Sequence, residues 1–345
     1  MAQVQHRYLY QYRRFLIPGA LVLVILSCVI SLAFGAISIP ISEIALTIVS
    51  KSSAQTELIV NKLRLPRTLL AACVGALMAS AGAMAQGLFR NPLADPSLIG
   101  ISSGAAAGAS IVIVFLYSVE FPFATLSLVS LGAFIGGVIA VAFVYRIATS
   151  ESGTSVTTML LAGIGVTFIA GSLSSALEFV SDNEMLRQIS LWKMGGFDAA
   201  NMTQVLLSAS VLVIITLLSP RYFAALNALL LGESEARHLG FDIHVIKRAI
   251  ITLVAASVAV SVSMAGSISF VGLVVPHVVR MLVGPDHKYL IPLSACGGAL
   301  LMVLADSFAR TIIAPSELPV GLVTTVIGVP IFISLLRKRR HYGMY

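Results

Sequence analysis

The chain has 345 residues, of which 58% are hydrophobic and only 11% charged, and a formal net charge of +7. So few charges cannot coat a soluble protein of this size, whereas the apolar content suffices for roughly ten spans of about 20 residues. The apolar runs are long and lack the alternation of barrel strands, which excludes a transmembrane barrel and leaves an all-α polytopic membrane protein.

Residues 1–14 are polar and carry Arg7, Arg13 and Arg14. The apolar run from Phe15 to Gly35 is longer than the core of a secretory signal and is expected to be retained as the first helix. Further spans are expected at 68–88, 98–117, 123–145, 156–179, 202–219, 246–263, 265–283, 290–309 and 319–336. That pattern predicts ten transmembrane helices in a single domain, 1–345, with both termini on one side. With the termini cytoplasmic, seven basic residues lie outside (Lys51, Lys62, Arg64, Arg67, Arg187, Lys193 and Arg310) and the rest of the 22 lie inside, as the positive-inside rule requires. The basic residues are therefore topology signals at the ends of apolar runs and not a nucleic-acid surface.

Gly, Ala and Ser recur inside the spans, as at 75–82 and 100–108, where small side chains let helix backbones approach closely. The run Arg90-Asn91-Pro92-Leu93-Ala94-Asp95-Pro96 reads as a sharp inner turn. A second proline-bearing stretch, Phe270 to His277, is expected to end another inward-running helix.

Residues 225–243 break the apolar sequence most deeply. Leu229, Leu230, Ala236 and Leu239 can share one side of a short helical element, Glu233 and Arg237 are spaced for an ion pair, and Gly232 and Gly240 punctuate its ends. The pattern fits a solvated loop and fits equally a docking element that another protein grips.

The chain contains no Gly-Lys pair, so a Walker phosphate loop is excluded. Cys28, Cys73 and Cys296 all lie in apolar runs, and the six histidines are scattered, so neither a disulfide framework nor a metal site is expected. Ion-coupled carriers hold an ionisable group near mid-membrane. Here Asp306 lies one turn from Arg310 near the end of its span, and Glu178 also ends a helix. The driving energy must then come from elsewhere, most simply from a partner ATPase that grips the 225–243 island. A secondary carrier or channel working alone is the rival reading. On the outer side Arg64, Arg67 and Arg310 are either snorkelling anchors or a cationic rim that captures an acidic protein or ligand.

Several separate stretches, in order, resemble the FecCD/BtuC-type permeases, the membrane subunits of binding-protein-dependent ABC importers. They are Arg64-Leu65-Pro66-Arg67, Asn91 to Pro96, Leu160-Leu161-Ala162-Gly163, Trp192-Lys193-Met194-Gly195-Gly196, Gly232-Glu233 through Leu239-Gly240, Phe270-Val271-Gly272-Leu273 with Pro276-His277 and Arg280, and Ala305-Asp306 through Glu317 to Gly321. The resemblance implies the type II ABC importer permease fold, a second permease copy, two cytoplasmic ATPases that hold the ATP and Mg, and a periplasmic or lipid-anchored substrate-binding protein. This chain itself is then no enzyme and binds no cofactor, and its remaining partner is membrane lipid. Gly232, Glu233, Ala236, Arg237, Leu239 and Gly240 correspond to the coupling helices that sit in a cleft of the ATPase. Arg64, Arg67 and Arg310 correspond to the arginines that meet acidic residues of the binding protein. Ser155 and Thr157 fall where the family places a cytoplasmic gate, although a Ser/Thr-rich loop also fits a plain connection.

The family imports iron chelates, heme and cobalamin. The outer segment Ser181 to Trp192 resembles heme permeases, in which an acidic run precedes a Leu-Arg pair, and cobalamin permeases carry a similar Leu-Arg-Gln. Heme is favoured slightly over a ferric siderophore, and both over cobalamin. Arg187 at substrate entry could attract heme propionates or be only a solvated charge.

Overall fold

The computed structural model describes residues 13–35, 37–48, 52–116, 128–151 and 153–341. In chain order the helices are α1 (Arg13–Ala33), α2 (Ile41–Ile48), α3 (Ala54–Leu58), α4 (Leu65–Leu88), α5 (Ile101–Leu116), α6 (Leu128–Ala148), α7 (Val156–Val180) and α8 (Asn183–Met194). They continue with α9 (Met202–Leu218), α10 (Phe223–Leu229), α11 (Glu233–His238), α12 (Ile243–Ala265), α13 (Val271–Val283), α14 (His287–Ala309) and α15 (Val320–His341). Between α6 and α7 a small hairpin pairs β1 (Thr149–Ser150) antiparallel with β2 (Gly153–Thr154).

The expected spans correspond to α1, α4 to α7, α9 and α12 to α15. Among the described residues, seven helical segments are long and apolar enough to cross a membrane, and α5, α13 and the apolar part of α15 are shorter. Helix α4 is longer than expected, because α3 runs into it through a π-helical turn at Ile59–Arg64, giving one segment from Ala54 to Leu88. Residues 117 and 123–127 of the expected spans, together with Arg7 and Lys51, lie outside the described residues.

One boundary is corrected. Residues 266–270 are not helical: Gly266 has φ 70° and Phe270 has φ 68°, a left-handed conformation uncommon for a bulky side chain. Phe270 therefore opens α13, where the sequence placed it in the closing stretch of a helix running from 265.

Helix α4 is the axis of the bundle. Its span is 83% buried, and it packs along α14 and against α12, α13 and α9. The close approach is built from backbone: a Cβ on Gly75 would lie 2.2 Å from the Gly298 carbonyl oxygen. Lipid supplies no hydrophobic drive for helix association, so such contacts supply dispersion at the seam. Helices α5 and α6 pair along their length, with α7 beside them. By contrast the α1 window is only 11% buried and the α7 window 22%, which leaves broad apolar faces for lipid or another chain.

Because α4 and α14 run antiparallel, the bundle has two distinct ends. Arg67 meets Asp306 at one. At the other, Gly87 lies against the His287 ring.

Candidate functional site

The 225–243 island folds at the His287 end as two short helices, α10 and α11, joined by a turn at Leu230–Gly232. Helix α10 is anchored by Ala225, Leu226 and Leu229, all at or below 2% exposure. Polar bonds fix its base. Asn227 Nδ2 donates to Asp286 Oδ1 at 2.8 Å, and the His287 backbone N–H donates to Asn227 Oδ1 at 3.0 Å. A carboxylate can only accept, so the Asn227 amide nitrogen must face Asp286, and its oxygen faces His287. His287 Nδ1, 2.7 Å from that oxygen, is then the protonated ring nitrogen.

Helix α11 has defined ends. Gly232 enters it with φ 130°, and its carbonyl accepts from Ala236 N–H. At the far end the Gly240 N–H bonds to the Arg237 carbonyl and the Phe241 N–H to the Ala236 carbonyl, a Schellman closure that needs the positive φ of 87° at Gly240. Ala236 is fully buried against the bundle. The expectation that Leu239 shares its side is corrected: Leu239, the C-cap residue whose N–H still bonds the Glu235 carbonyl, is 61% exposed at the end of a six-residue helix, beyond the surface that buries Ala236. Leu231 is 70% exposed at the other end of α11. The helix thus presents two leucines and the exposed Arg237 outward, an arrangement typical of a surface that another protein covers.

The anticipated Glu233 to Arg237 ion pair is present, as the weaker of two at Glu233. It is stretched to 4.0 Å, whereas Lys247 on α12 reaches Glu233 Oε1 at 2.7 Å. Lys247 is buried, and a buried ammonium outcompetes an exposed guanidinium for the carboxylate because it has no water to fall back on. Its Nζ also donates to the Thr154 carbonyl at 2.8 Å, in β2.

Ser155 and Thr157 follow that hairpin and are exposed. Ser155 caps α7, its Oγ accepting from Thr158 N–H at 3.3 Å, and its own N–H closes on the Ala148 carbonyl. The hairpin therefore sits on the same end of the bundle as α11.

At the opposite end Arg64 and Arg310 converge on the C-terminus of α1, with Arg67 nearby, paired to Asp306. Arg64 donates to the carbonyls of Leu32 (2.7 Å), Ala33 and Ile37. Arg310 donates to the Ser31 carbonyl at 2.8 Å. The Ser31, Leu32 and Ala33 carbonyls lie in the last turn of α1, where they have no partner within the helix, and cations there are also favoured by the helix dipole. Arg64 and Arg310 are consequently buried, at 6% and 4% exposure, and their guanidinium groups do not form an exposed cationic rim. Arg67 donates from Nε to Asp306 Oδ1 at 2.8 Å and from Nη1 to Glu317 Oε2 at 2.6 Å. Asp306 is fully buried, and Arg310 Nε stands 3.6 Å from its other oxygen. Burial lowers the Arg310 pKa, with Asp306 opposing and Arg67 and Arg64 adding to the effect, but an arginine remains a cation throughout. A cleft of about 380 Å³ opens beside these groups, lined by Arg64, Arg67, Arg310, Asp198 and Glu317.

Arg187 lies on α8 at this same end, exposed and outside the ion pairs formed among the described residues. Glu178, at the end of α7, is paired with Lys193. Sequence reasoning missed Asn227, Asp286 and Lys247 as parts of the site. A polar Asn in an otherwise apolar turn and a Lys one turn into a span were the available signals.

An all-helical bundle with small-residue seams, a folded polar element at one end and an arginine cluster at the other defines a membrane permease. The chain belongs to the FecCD transport family, whose model matches residues 23–338, and is a multi-pass protein of the bacterial inner membrane. It is 38% identical over 327 residues to the hemin transport system permease protein HmuU of Yersinia pestis, covering 95% of this chain and 96% of that one. It is 41% identical over 283 residues to the cobalamin import system permease protein BtuC of Halobacterium salinarum, covering 82% and 74%. Among solved structures it is similar to a chain in an inward-facing conformation, described as from a metal-chelate type ABC transporter, with a TM-score of 0.82, 32% identity and 93% and 98% coverage. A likeness to PsaBC of Streptococcus pneumoniae, with a TM-score of 0.58 and 19% identity, concerns the fold alone. This chain is accordingly a permease subunit of an ABC importer.

Proposed function

We propose that the chain forms the translocation path for an iron chelate, heme ahead of a ferric siderophore, and is driven by two separate ATPases. The observation that carries the drive is α11, a short helix seated on the bundle through Ala236, with Leu231 and Leu239 turned outward at its two ends. Gly232, Glu233, Ala236, Arg237, Leu239 and Gly240 shape that docking helix, Ser155 and Thr157 lie at the inner gate, and a second copy covers the apolar face of α7. A substrate-binding protein docks at the arginine end. There Arg64, Arg67 and Arg310 shape the surface by pinning α1 and the 310–317 loop, leaving Glu317 and the cleft accessible. ATP and Mg belong to the ATPases.

The heme preference draws on the near full-length match to the hemin permease and on the exposed Arg187, which suits a propionate. Cobalamin is the second reading, favoured by several permeases of that name at 38–41% identity. A strain lacking this chain, given heme or a ferric siderophore as sole iron source or cobalamin as a required vitamin, separates them. Loss of growth on heme alone is expected. Loss on the siderophore alone moves the cargo there, and loss on cobalamin alone overturns the preference for iron.

A further inference from the structure

The coupling helix and the inner hairpin are separate elements, and one buried side chain is bonded to both. Lys247 Nζ lies 2.7 Å from Glu233 Oε1, at the first residue of α11, and donates at 2.8 Å to the Thr154 carbonyl of β2. We propose that Lys247 is the positioning residue that carries movement of α11 to the gate hairpin and the start of α7, an inference that rests on the importer reading above.

The geometry makes this link stiff. An ammonium has three donors and no acceptor, and here it is 6% exposed, so separating it from Glu233 would leave a charge buried without its counter-ion. Displacing α11 therefore draws Lys247 along more readily than it breaks the pair. One helical turn earlier, the His244 ring packs directly on the hairpin backbone: a Cβ on Gly153 would come 2.0 Å from His244 Cε1. The first turns of α12 thus grip β2 twice, by a hydrogen bond and by contact. The hairpin is itself a closed unit, with Thr149 Oγ1 and Thr154 Oγ1 3.0 Å apart and the Ser155 N–H on the Ala148 carbonyl. Ser155 caps α7, so a displaced Thr154 moves the entry of that helix, whose Leu161, Phe168 and Ile169 form the face left open on this chain.

Other features carry less. Two apolar grooves of about 410 and 420 Å³ flank α1 and share Cys296, but nothing in them selects an occupant. The bare Nε2 of His287 is buried against Gly87 without room for a ligand.

The test uses the complete complex of permease, ATPases and binding protein in proteoliposomes, with radiolabelled heme as the cargo. It reads cargo moved per ATP hydrolysed, and the nucleotide dependence of thiol labelling at Glu151→Cys, an exposed position at the hairpin tip. Lys247→Met keeps the side-chain length and removes the charge. It is expected to lower cargo per ATP by about tenfold, a typical coupling magnitude, and to abolish the nucleotide dependence of labelling. Lys247→Arg, which retains donors for both partners, is expected to restore both readouts. If Lys247→Met does not assemble, Glu233→Met, which has no oxygen to accept from the ammonium, breaks the same link from the other side and is read by the same ratio. Wild-type cargo per ATP, or labelling that still follows nucleotide, in the variant that breaks the link overturns the proposal. Failure of the unaltered chain to assemble with the ATPases would instead overturn the importer reading, and assembly without heme transport would overturn the heme preference; both would be seen before any variant is made.

Discussion

Removing the Arg67 side chain separates a structural role for the arginine end from one of direct docking. In Arg67→Ala, Asp306, whose side chain is only 1% exposed, loses its 2.8 Å partner. Removing one member of a buried pair costs about 3–5 kcal/mol; the low end, about 3 kcal/mol, applies because Arg310 remains near the other carboxylate oxygen. That is slightly more than two powers of ten in the unfolding equilibrium. Glu317, with a side chain 43% exposed, contributes less than about 1 kcal/mol to the same cluster, so Glu317→Gln is nearly silent. Unfolding in mixed micelles can be followed by the fluorescence of Trp192, the single tryptophan. The double variant Arg67→Ala with Asp306→Asn should recover part of the loss, with a coupling energy of about 1–3 kcal/mol. The reasoning fails if Arg67→Ala unfolds like the wild type but loses affinity for the binding protein. Arg67 would then be a docking side chain held in place by nothing essential.

Three further outcomes are expected. Leu239→Glu places a charge on the exposed C-terminal end of α11 and should lower ATPase association by about tenfold or more, read by co-purification, with membrane insertion unchanged. Gly75→Val cannot be accommodated against the Gly298 carbonyl and should cost about 3 kcal/mol or more of stability, seen as aggregation on size exclusion, whereas Gly165→Ala, with nothing within 4 Å, should be neutral. Asn227→Ala strips the base of α10 of its bonds to Asp286 and His287. It should destabilise by about 1–3 kcal/mol and increase hydrogen exchange across 223–240, measured by mass spectrometry.

The spans were legible because a membrane helix writes its length directly into an apolar run, and the island because its charges stand out against that background. The arginines at 64, 67 and 310 were also visible, but not their partners. Arg67 and Asp306 are 239 residues apart, and no periodicity links them. Burial of Arg64 depends on where α1 ends relative to a π-turn thirty residues later, which a count of apolar residues does not contain. Within the island, spacing placed Leu239 with Ala236, but α11 is only six residues long, and Leu239 caps its exposed end while Ala236 faces the bundle. Spacing paired Glu233 with Arg237, and that pair is present at 4.0 Å, but the nearer cation, Lys247, comes from the next span. Local pattern thus located each end of the machine, and the bonds across helices that decide how each end works came only with the packing.

The central claim is that this chain is a passive path powered through α11 by a partner that hydrolyses ATP. The most direct measurement is uptake of cargo into proteoliposomes holding the full complex, with and without ATP and with ion gradients collapsed by ionophores. Uptake that requires ATP and survives collapse of the gradients is predicted. Uptake by the chain alone, driven by an ion gradient and indifferent to ATP, would contradict it.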